Sequence, residues 1–266
     1  MNASQSEEIL WRHLRELPYF RAMVRAVEDR FYQGLELPSP VLDLGCGDGH
    51  FASVAFDYPL DVGLDPWWAP LLEARQRGAY RMLVRSDGAK APFPDGYFAS
   101  VVSNSVLEHI PHLDQVLEEV ARVIRPGGRF VFCVPNHRFP QLLLGTQTLR
   151  RLGLKGAAAW YSRLFNRISR HQHTDSYTVW KRRMDHFGFT IEKHWDYFPA
   201  NALHRMEVGH AFGLPALLSK KLTGRWILST SQASLWIPWR ITRGVFLNPI
   251  SQDGVYSFYI THRNRE

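Results

Sequence analysis

The chain of 266 residues is poor in three features: cysteine, a leader-like N-terminus and long uninterrupted apolar runs. Its two cysteines, Cys46 and Cys133, both lie in apolar strand-like contexts, which argues against a disulfide framework and favours a reducing compartment. The N-terminus lacks a basic region followed by an apolar run, so we expect no signal peptide. Polar and charged side chains interrupt the most apolar late stretch, 226–247, and a spanning helix is not expected. These absences predict a cytoplasmic protein.

Acidic residues are scarce in the second half of the chain. Residues 1–136 contain 13 Lys and Arg against 18 Asp and Glu, a net charge of −5, whereas residues 137–266 contain 19 against 7, a net charge of +12. Eight of the twelve histidines also lie in the second half. This asymmetry favours an anionic partner there: phosphates, a carboxylated substrate, an acidic membrane surface or nucleic acid. A solvated basic surface is the alternative.

The spacing of apolar residues predicts alternating helices and strands. Residues 7–32 form one or two amphipathic helices, with Pro18 separating them. Short apolar segments then read as strands, and segments with a repeat of three and four residues read as helices. The predicted strands are 41–44, 61–65, 81–87, 98–103, 129–134, 190–195 and 255–260, and the main predicted helices are 50–56, 68–77, 113–125 and 176–187.

This alternation predicts an α/β fold of the doubly wound, Rossmann-like kind. Parallel strands joined by helices require right-handed crossovers, which place helices on both faces of the sheet. We therefore expect a mostly parallel seven-stranded sheet with N-terminal helices and a helical insertion, 199–249, before the last strand. The expected division is an N-terminal helical cover (1–37), a cofactor-binding core (38–136), and a substrate-side elaboration that includes the last strands of the same sheet (137–266).

A glycine cluster follows the first predicted strand. Gly45, Gly47 and Gly49 are spaced G-x-G-x-G, with Asp43 just before them. Glycines let the backbone turn tightly and approach a ligand, and the next helix start offers free N–H groups. The spacing differs from the dinucleotide G-x-G-x-x-G, which disfavours a nicotinamide dehydrogenase.

The segment V-L-D-L-G-C-G-D-G-H-F, residues 41–51, resembles motif I of the class I S-adenosylmethionine-dependent methyltransferases, in particular the small-molecule, type 11-like branch. The acid that ends V-G-L-D (62–65), the S-D-G-A segment (86–89), residues 91–110 and residues 122–132 resemble further segments of that family, in the same order. The resemblance spans about residues 20–136. It departs from the family at Ala99, where aspartate is usual, on the entry side of a strand and away from the cofactor.

The resemblance implies S-adenosylmethionine as the cofactor. It assigns the ammonium group to Asp43, the methionine portion to the glycine loop, both ribose hydroxyls to Asp65, and the adenine amine to Asp87 with Gly88 packed beside it. Taken singly, Asp43 could merely satisfy loop amides and Asp65 could cap the next helix. The residues expected to bind the cofactor are Asp43, Gly45, Cys46, Gly47, Gly49, Asp65, Pro66, Asp87, Gly88, Asn104 and Ser105.

Candidate general bases should lie near the carboxyl ends of the fourth and fifth strands. Glu108, His109 and His137 qualify by position. His137, directly after the fifth strand, is the preferred base, with His109 second, although a base is needed only when the acceptor carries a proton. The alternating residues His171, His173 and Asp175 could be read as metal ligands. No fourth ligand with recognisable spacing follows, so no metal is predicted.

The basic half also contains candidate substrate contacts. Arg163, Arg167, Arg170 and His173 suit an anionic substrate or form a solvated helix face. Tryptophans 226, 236 and 239 alternate with Lys and Arg, as in a segment that lies at a membrane interface and accepts a lipid or lipid-linked substrate. An aromatic core under a lid is the alternative.

These features, with the resemblance, predict a methyltransferase that acts on an oxygen, nitrogen or carbon atom of a small or lipid-linked metabolite, and the basic half favours an anionic acceptor and peripheral membrane contact. Nucleic-acid methylation is disfavoured because residues 103–106 read S-N-S-V, without the acid or Asn followed by Pro-Pro and an aromatic that base methylators share. A non-catalytic cofactor-binding protein is the remaining alternative. The sequence does not indicate an oligomeric state.

Overall fold

A seven-stranded sheet forms the centre of the computed structural model, which describes residues 3–211 and 213–265. The strand order is β3-β2-β1-β4-β5-β7-β6. Strands β1 to β5 are parallel, and β7 runs antiparallel to both β5 and β6. The predicted doubly wound, mostly parallel sheet is confirmed. The strands are β1 (Val41–Leu44), β2 (Leu60–Asp65), β3 (Tyr80–Arg85), β4 (Phe98–Asn104), β5 (Ile124–Pro135), β6 (Phe189–Tyr197) and β7 (Tyr256–Arg263).

Helices pack on the sheet, and further helices lie beyond the carboxyl ends of its strands, where a ligand would bind. Pro18 separates the first two helices, as predicted, and the predicted helical insertion before the last strand is formed by the last three. The helices are α1 (Ala3–Glu16), α2 (Tyr19–Tyr32), α3 (His50–Ala55), α4 (Trp68–Arg77), α5 (Leu113–Val123), α6 (Phe139–Leu142), α7 (Leu144–Arg151), α8 (Lys155–Ile168), α9 (Tyr177–His186), α10 (Ala200–His210), α11 (Gly213–Thr223) and α12 (Gln232–Leu247), with a 3-10 turn at Leu107–His109.

The sequence-based bounds are wrong at the junction of α5 and β5. The helix ends at Val123 instead of Arg125, and the strand begins at Ile124, five residues before the predicted start. Ile124 pairs with Phe98 of β4, and the register then shifts before pairing resumes further along. Gly127 has a left-handed backbone, with φ of 73°, so the chain turns inside the strand where a helix stop was expected.

The order of the central strands fixes where a ligand can bind. The chain runs from β1 outward to β2 and β3, and then returns to place β4 on the other side of β1. In doubly wound sheets a crevice opens at this reversal, beyond the carboxyl ends of the strands. Strands β1 and β4 are parallel neighbours, and the loops that follow them therefore meet at this point.

The N-terminal helices are tied to the same edge by buried polar groups. His13 of α1 contacts Asp29 of α2 through Nε2 at 3.0 Å and His50 of α3 through Nδ1 at 3.1 Å. His13 and Asp29 are completely buried. Burial lowers the pKa of His13, because a charged imidazole is poorly solvated there. Helices α1 and α2 are thus fixed against the helix that follows the glycine loop.

No helix within the described ranges 3–211 and 213–265 is both long and apolar enough to cross a membrane. The predicted domain bounds at residues 37 and 136 stay a prediction. Strands β6 and β7 come from the third predicted segment and pair in the same sheet as the core strands.

Candidate active site

The glycine loop turns sharply at the carboxyl end of β1. Gly45, Gly47 and Gly49 all have left-handed backbones, with φ of 78°, 54° and 70°, a conformation that side chains disfavour. A Cβ atom on Gly45 would collide with Val106, whereas one on Gly47 would meet nothing within 4 Å. Gly49 is the N-cap residue of helix α3. The loop therefore passes tightly beside β4 at Gly45 and faces open space at Gly47.

Asp43 lies in β1 just before this loop, with only 5% of its surface exposed. Its Oδ2 accepts a hydrogen bond of 2.6 Å from the hydroxyl of Tyr80. Burial raises the pKa of Asp43 to about 6, and the Tyr80 hydrogen bond opposes this change. Asp43 thus has a buried carboxylate that would gain from a nearby cation.

Asp65 ends β2 and braces the loop from the side. Its Oδ2 accepts from the backbone N–H of Gly47 at 3.0 Å, and its Oδ1 accepts from the N–H of Trp67 at 2.9 Å. Each carboxylate oxygen retains lone pairs for a further donor. Burial raises the pKa of Asp65. Asp65 thus holds the turn before α4 but does not cap the helix, because the N-cap residue is Trp67 and it has no side-chain capping bond, and Asp65 lines the larger cavity.

Asp87 lies two residues beyond β3, and its Oδ1 accepts from the N–H of Ala89 at 2.9 Å. A Cβ atom on the neighbouring Gly88 would stand 3.2 Å from Leu44, so the loop packs closely against β1. Asp87 and Gly88 line the same cavity as Asp65 and Pro66. The acids at or near the carboxyl ends of three adjacent strands thus lie at one edge of the sheet.

Two adjacent cavities open at this edge. The larger has a volume of about 900 Å³ and contains Asp65, Pro66, Asp87 and Gly88 in its wall. The smaller, of about 330 Å³, is lined by Asp43, Cys46, Gly47, Asn104 and Ser105, among others. The two cavities share wall residues, namely Arg21, Gly45, Val106 and Trp226. Ten of the eleven predicted cofactor residues therefore surround one two-part cleft, and the exception is Gly49.

Sequence reasoning missed the residue that organises the end of β4. Glu28 of α2 is completely buried and accepts hydrogen bonds from Asn104 at 2.8 Å, Ser105 at 2.8 Å and Tyr197 at 2.9 Å. Arg25 pairs with it at 2.9 Å. The side chains of Asn104 and Ser105 are thus held by Glu28 while they line the smaller cavity.

A signal for Glu28 was present in the sequence. It stands four residues after Val24 and one after Val27, on the apolar face of an amphipathic helix, and a carboxylate there needs partners. Its partners lie up to 169 positions away. Local patterning could therefore mark the residue as unusual but could not identify what it binds.

Among the candidate bases, His109 reaches the larger cavity. Its Nδ1 lies 3.1 Å from the carbonyl oxygen of Arg170, and because a carbonyl only accepts, Nδ1 carries the proton and Nε2 the free lone pair. Burial lowers the pKa of His109. The imidazole therefore lines the cavity with its lone pair on Nε2, which lies 3.7 Å from Oε1 of Glu108.

His137 and Glu108 are placed differently. Neither lines the two cavities. Nδ1 of His137 is buried without a hydrogen-bond partner among the described residues. Glu108 is 1% exposed, its Oε2 likewise has no described partner, and burial raises its pKa to about 8. The choice of His137 as the preferred base stays a prediction, and the cavity geometry favours His109.

The residues of the metal-ligand alternative engage other groups. Nε2 of His173 lies 3.0 Å from the carbonyl oxygen of Ile110, and Asp175 pairs with Arg183. His171 stacks on the ring of His109, with centroids 5.6 Å apart. Across the part of the chain that the structure describes, no group of three or more His, Cys, Asp or Glu is arranged to hold a metal ion.

The cleft fits S-adenosylmethionine on the evidence of its donor set. Asp43 offers a buried carboxylate for the ammonium group, and Gly47 leaves the space that a cofactor would fill. Asp65 provides two oxygens for two ribose hydroxyls, and Asp87, which the resemblance matches to the adenine amine, lines the same larger cavity. The ammonium group, the ribose and the adenine of the cofactor therefore each have a complementary group at the carboxyl edge of the sheet.

Solved structures of methyltransferases share this fold. A possible histamine N-methyltransferase from Thermotoga maritima superposes with a TM-score of 0.56 at 14% identity, covering 93% of this chain and 91% of that one. Geranyl diphosphate C-methyltransferase from Streptomyces coelicolor A3(2), solved with Mg²⁺, geranyl diphosphate and S-adenosyl-L-homocysteine, gives a TM-score of 0.53 at 16% identity, covering 90% and 78%. At these identities the likeness defines the fold class alone.

The family assignment rests on sequence. The family model described as "Methyltransferase domain" matches residues 10–194, more than half of the chain, and the chain belongs to this family of S-adenosylmethionine-dependent methyltransferases. The predicted class and cofactor are therefore confirmed at the level of the family.

Curated relatives carry more specific names. A malonyl-[acyl-carrier protein] O-methyltransferase of Legionella pneumophila is 30% identical over 56% of this chain and 52% of its own length. A ubiquinone biosynthesis O-methyltransferase of Aeromonas salmonicida is 30% identical over 44% and 52%, and a fatty-acid O-methyltransferase of Mycolicibacterium smegmatis is 36% identical over 37% and 38%. The chain thus spans about half or less of the length of these relatives.

Proposed function

We propose that this chain methylates an oxygen atom of an amphiphilic small or lipid-linked metabolite that carries an acidic group, and that it does so in the cytoplasm. The observation that supports this proposal best is the lining of the larger cavity. Of the described residues in its wall, the carboxylates are Asp65 and Asp87, both matched to the cofactor. The wall that remains for an acceptor is apolar and cationic.

The acceptor wall combines two kinds of side chain. Ile168, Leu217 and Trp226 provide apolar surface, and Arg170 and His109 provide polar groups. Apolar walls stabilise a hydrocarbon portion by removing it from water. A guanidinium attracts a carboxylate or phenolate and repels an ammonium. An acidic oxygen acceptor with an apolar body therefore suits this wall better than an amine.

The names of three relatives agree with an oxygen acceptor. The malonyl-[acyl-carrier protein], ubiquinone biosynthesis and fatty-acid enzymes are all named as O-methyltransferases, and a fatty acid is an amphiphile with a carboxylate. Because the matched lengths are short, these names support the acceptor type and do not identify the acceptor.

When bound, S-adenosylmethionine would supply a methyl group from a positively charged sulfur to the acceptor oxygen, with the broken S–C bond balancing the new O–C bond and S-adenosylhomocysteine as the leaving group. The chain's task is to align the oxygen with that methyl group and to exclude water. A carboxylate acceptor requires no base. For a hydroxyl acceptor, Nε2 of His109 is a group in the cavity wall that can take the proton.

A labelled-methyl assay tests the proposal. Purified protein is incubated with methyl-labelled S-adenosylmethionine and, separately, a long-chain fatty acid, a prenylated phenol, a long-chain amine and an RNA transcript. Label is expected in the organic extract of the two oxygen acceptors. Mild alkali then releases labelled methanol from an ester and leaves an ether intact. Label confined to the amine or the RNA would refute an acidic oxygen acceptor.

A matched pair of variants links the result to the cavity. Arg170→Gln removes a cation from the cavity wall, and we expect a KM increase of roughly tenfold to a hundredfold for an anionic acceptor, as for loss of one charged hydrogen bond. Arg163→Gln removes an exposed cation on α8 that lines neither cavity, and its KM should stay unchanged. Equal effects of both variants would contradict a specific role for Arg170.

A further inference from the structure

The rim of the larger cavity is unusually apolar for a surface in water. Trp67, Ile168 and Leu217 line the cavity, yet each is more than half exposed. Exposed apolar patches of this kind mark a site for a partner or a membrane. The opening through which an acceptor would enter is therefore bordered by side chains that gain from leaving water.

Helix α11 continues this apolar surface beside the opening. Leu217, Leu218 and Leu222 are each more than half exposed, with Leu222 at 74%, and no described side chain of α11 is buried. Further along the chain, Leu228, Trp236 and Ile237 are also half or more exposed. Because α11 packs so little of its surface against the protein, its leucines are available to contact a membrane or another partner.

The charge of the surrounding segment has one sign. Between Glu207 and Asp253 the sequence contains no acidic residue, but it contains Lys220, Lys221, Arg225, Arg240 and Arg243. Lys220 pairs with Glu73, and Arg243 pairs with Glu7. Lys221, Arg225 and Arg240 have no carboxylate within ion-pair distance among the described residues. Cations are thus presented next to the exposed leucines without local neutralisation.

We propose that α11, the following loop and the start of α12, residues 213–237, dock on an anionic lipid bilayer. Leucine and tryptophan side chains enter the headgroup boundary, while lysine and arginine contact lipid phosphates. The surface complements a bilayer in both respects: apolar area for the acyl chains and positive charge for the lipid headgroups. Nucleic acid would use the cations but would leave the exposed leucines in water.

Docking in this way would turn the cavity mouth toward the bilayer. Leu217 belongs both to α11 and to the cavity wall, so a bilayer in contact with this helix lies at the entrance. An amphiphilic acceptor could then pass from the bilayer into the cavity without crossing water. This consequence rests on the proposed function, whereas the docking itself does not.

Vesicle co-sedimentation tests the docking. The full chain is mixed with vesicles of phosphatidylcholine alone and with vesicles that contain equal parts of phosphatidylcholine and phosphatidylglycerol. Binding to the anionic vesicles, weaker at high salt, is expected, with little binding to phosphatidylcholine alone. Absence of binding to the anionic vesicles would overturn the proposal.

Paired variants separate the apolar and the charged contributions. The double variant Leu218→Ser with Leu222→Ser should weaken partitioning onto the anionic vesicles by roughly tenfold or more, because two partly inserted leucines are lost. Lys221→Gln with Arg225→Gln should weaken partitioning about thirtyfold, since each cation contributes on the order of fivefold. Tyr58→Ser is the control, because Tyr58 is about half exposed but precedes β2 at the opposite end of the sheet.

Further measurements keep the proposals distinguishable. Calorimetric affinity for S-adenosylmethionine should be unchanged in all these variants, which shows that they are folded. The lipid assignment would be overturned if RNA binding survived the two leucine substitutions and the Tyr58→Ser control lost as much vesicle binding as the leucine double variant. If vesicles bind but no oxygen acceptor is methylated, the proposed function fails and the docking stands.

Discussion

The buried carboxylate of Asp43 makes cofactor affinity depend on pH in a direction that can be worked out. Burial raises its pKa from 3.8 to about 6 in the free protein, so keeping it ionised costs about 3 kcal/mol at neutral pH. An ammonium group beside it favours the ionised form, and S-adenosylmethionine therefore binds that form. Affinity should be full above about pH 7 and roughly elevenfold weaker at about pH 5, where most of Asp43 is protonated.

Calorimetric titrations at a series of pH values measure this dependence. The raised pKa makes the protonated form of Asp43 the more favourable one in the folded protein, so this group contributes to stability at low pH and the contribution is lost as pH rises through about 6. Protonation of Asp43 therefore does not destabilise the folded protein, and a loss of cofactor binding at about pH 5 cannot be explained by unfolding caused by this protonation. Asp43→Asn should bind weakly at every pH and stay folded.

The Tyr80 hydroxyl provides a directional control. Its hydrogen bond lowers the pKa of Asp43, so Tyr80→Phe should move the midpoint of the affinity profile to higher pH, while Tyr58→Phe should leave it unchanged. A profile that is flat between about pH 5 and 8, or a midpoint that moves to lower pH in Tyr80→Phe, would refute the role given to Asp43.

Two further substitutions test the local structure. Gly45→Ala adds a Cβ atom that collides with Val106, whereas Gly34→Ala adds one in open space at a similar φ. Gly45→Ala should therefore lower the free energy of unfolding by about 1–3 kcal/mol more than Gly34→Ala. Equal losses in the two variants would contradict the close approach of Gly45 to Val106. Glu28→Gln leaves its arginine partner unneutralised and should cost about 3–5 kcal/mol by chemical denaturation, against about 0.5 kcal/mol for the exposed Glu8→Gln. A loss below about 1 kcal/mol in Glu28→Gln would show that the buried network contributes little.

The sheet and its cofactor edge were predictable because their signals are local. Strand β1 is a short buried run followed at once by glycines with left-handed backbones, and β2 ends in an acid at the same edge. Parallel strands bring their carboxyl ends together whatever the loops do. Asp43, Asp65 and Asp87 therefore come together because of the topology, which the alternation of helices and strands already specifies.

The rest of the site depends on contacts between distant segments. Glu28 accepts a hydrogen bond from Tyr197, 169 positions away, and Nδ1 of His109 contacts the carbonyl of Arg170, 61 positions away. Position after a strand favoured His137, but the cavity wall is completed by α8, α10 and α11, whose placement no short pattern encodes. The exposure of the leucines on α11 was equally invisible, because an amphipathic pattern does not say whether its apolar face is covered.

The most direct test of the account is equilibrium binding of S-adenosylmethionine and S-adenosylhomocysteine to the purified chain by calorimetry. We expect one site for each, and Asp65→Asn should weaken both by roughly a hundredfold, since an amide cannot accept from both backbone N–H groups and both ribose hydroxyls. Asp57→Asn, an exposed change before β2, should bind like the unmodified chain. A folded protein that binds neither compound, or an Asp65→Asn variant that binds as tightly as the Asp57→Asn control, would contradict the cofactor site described above.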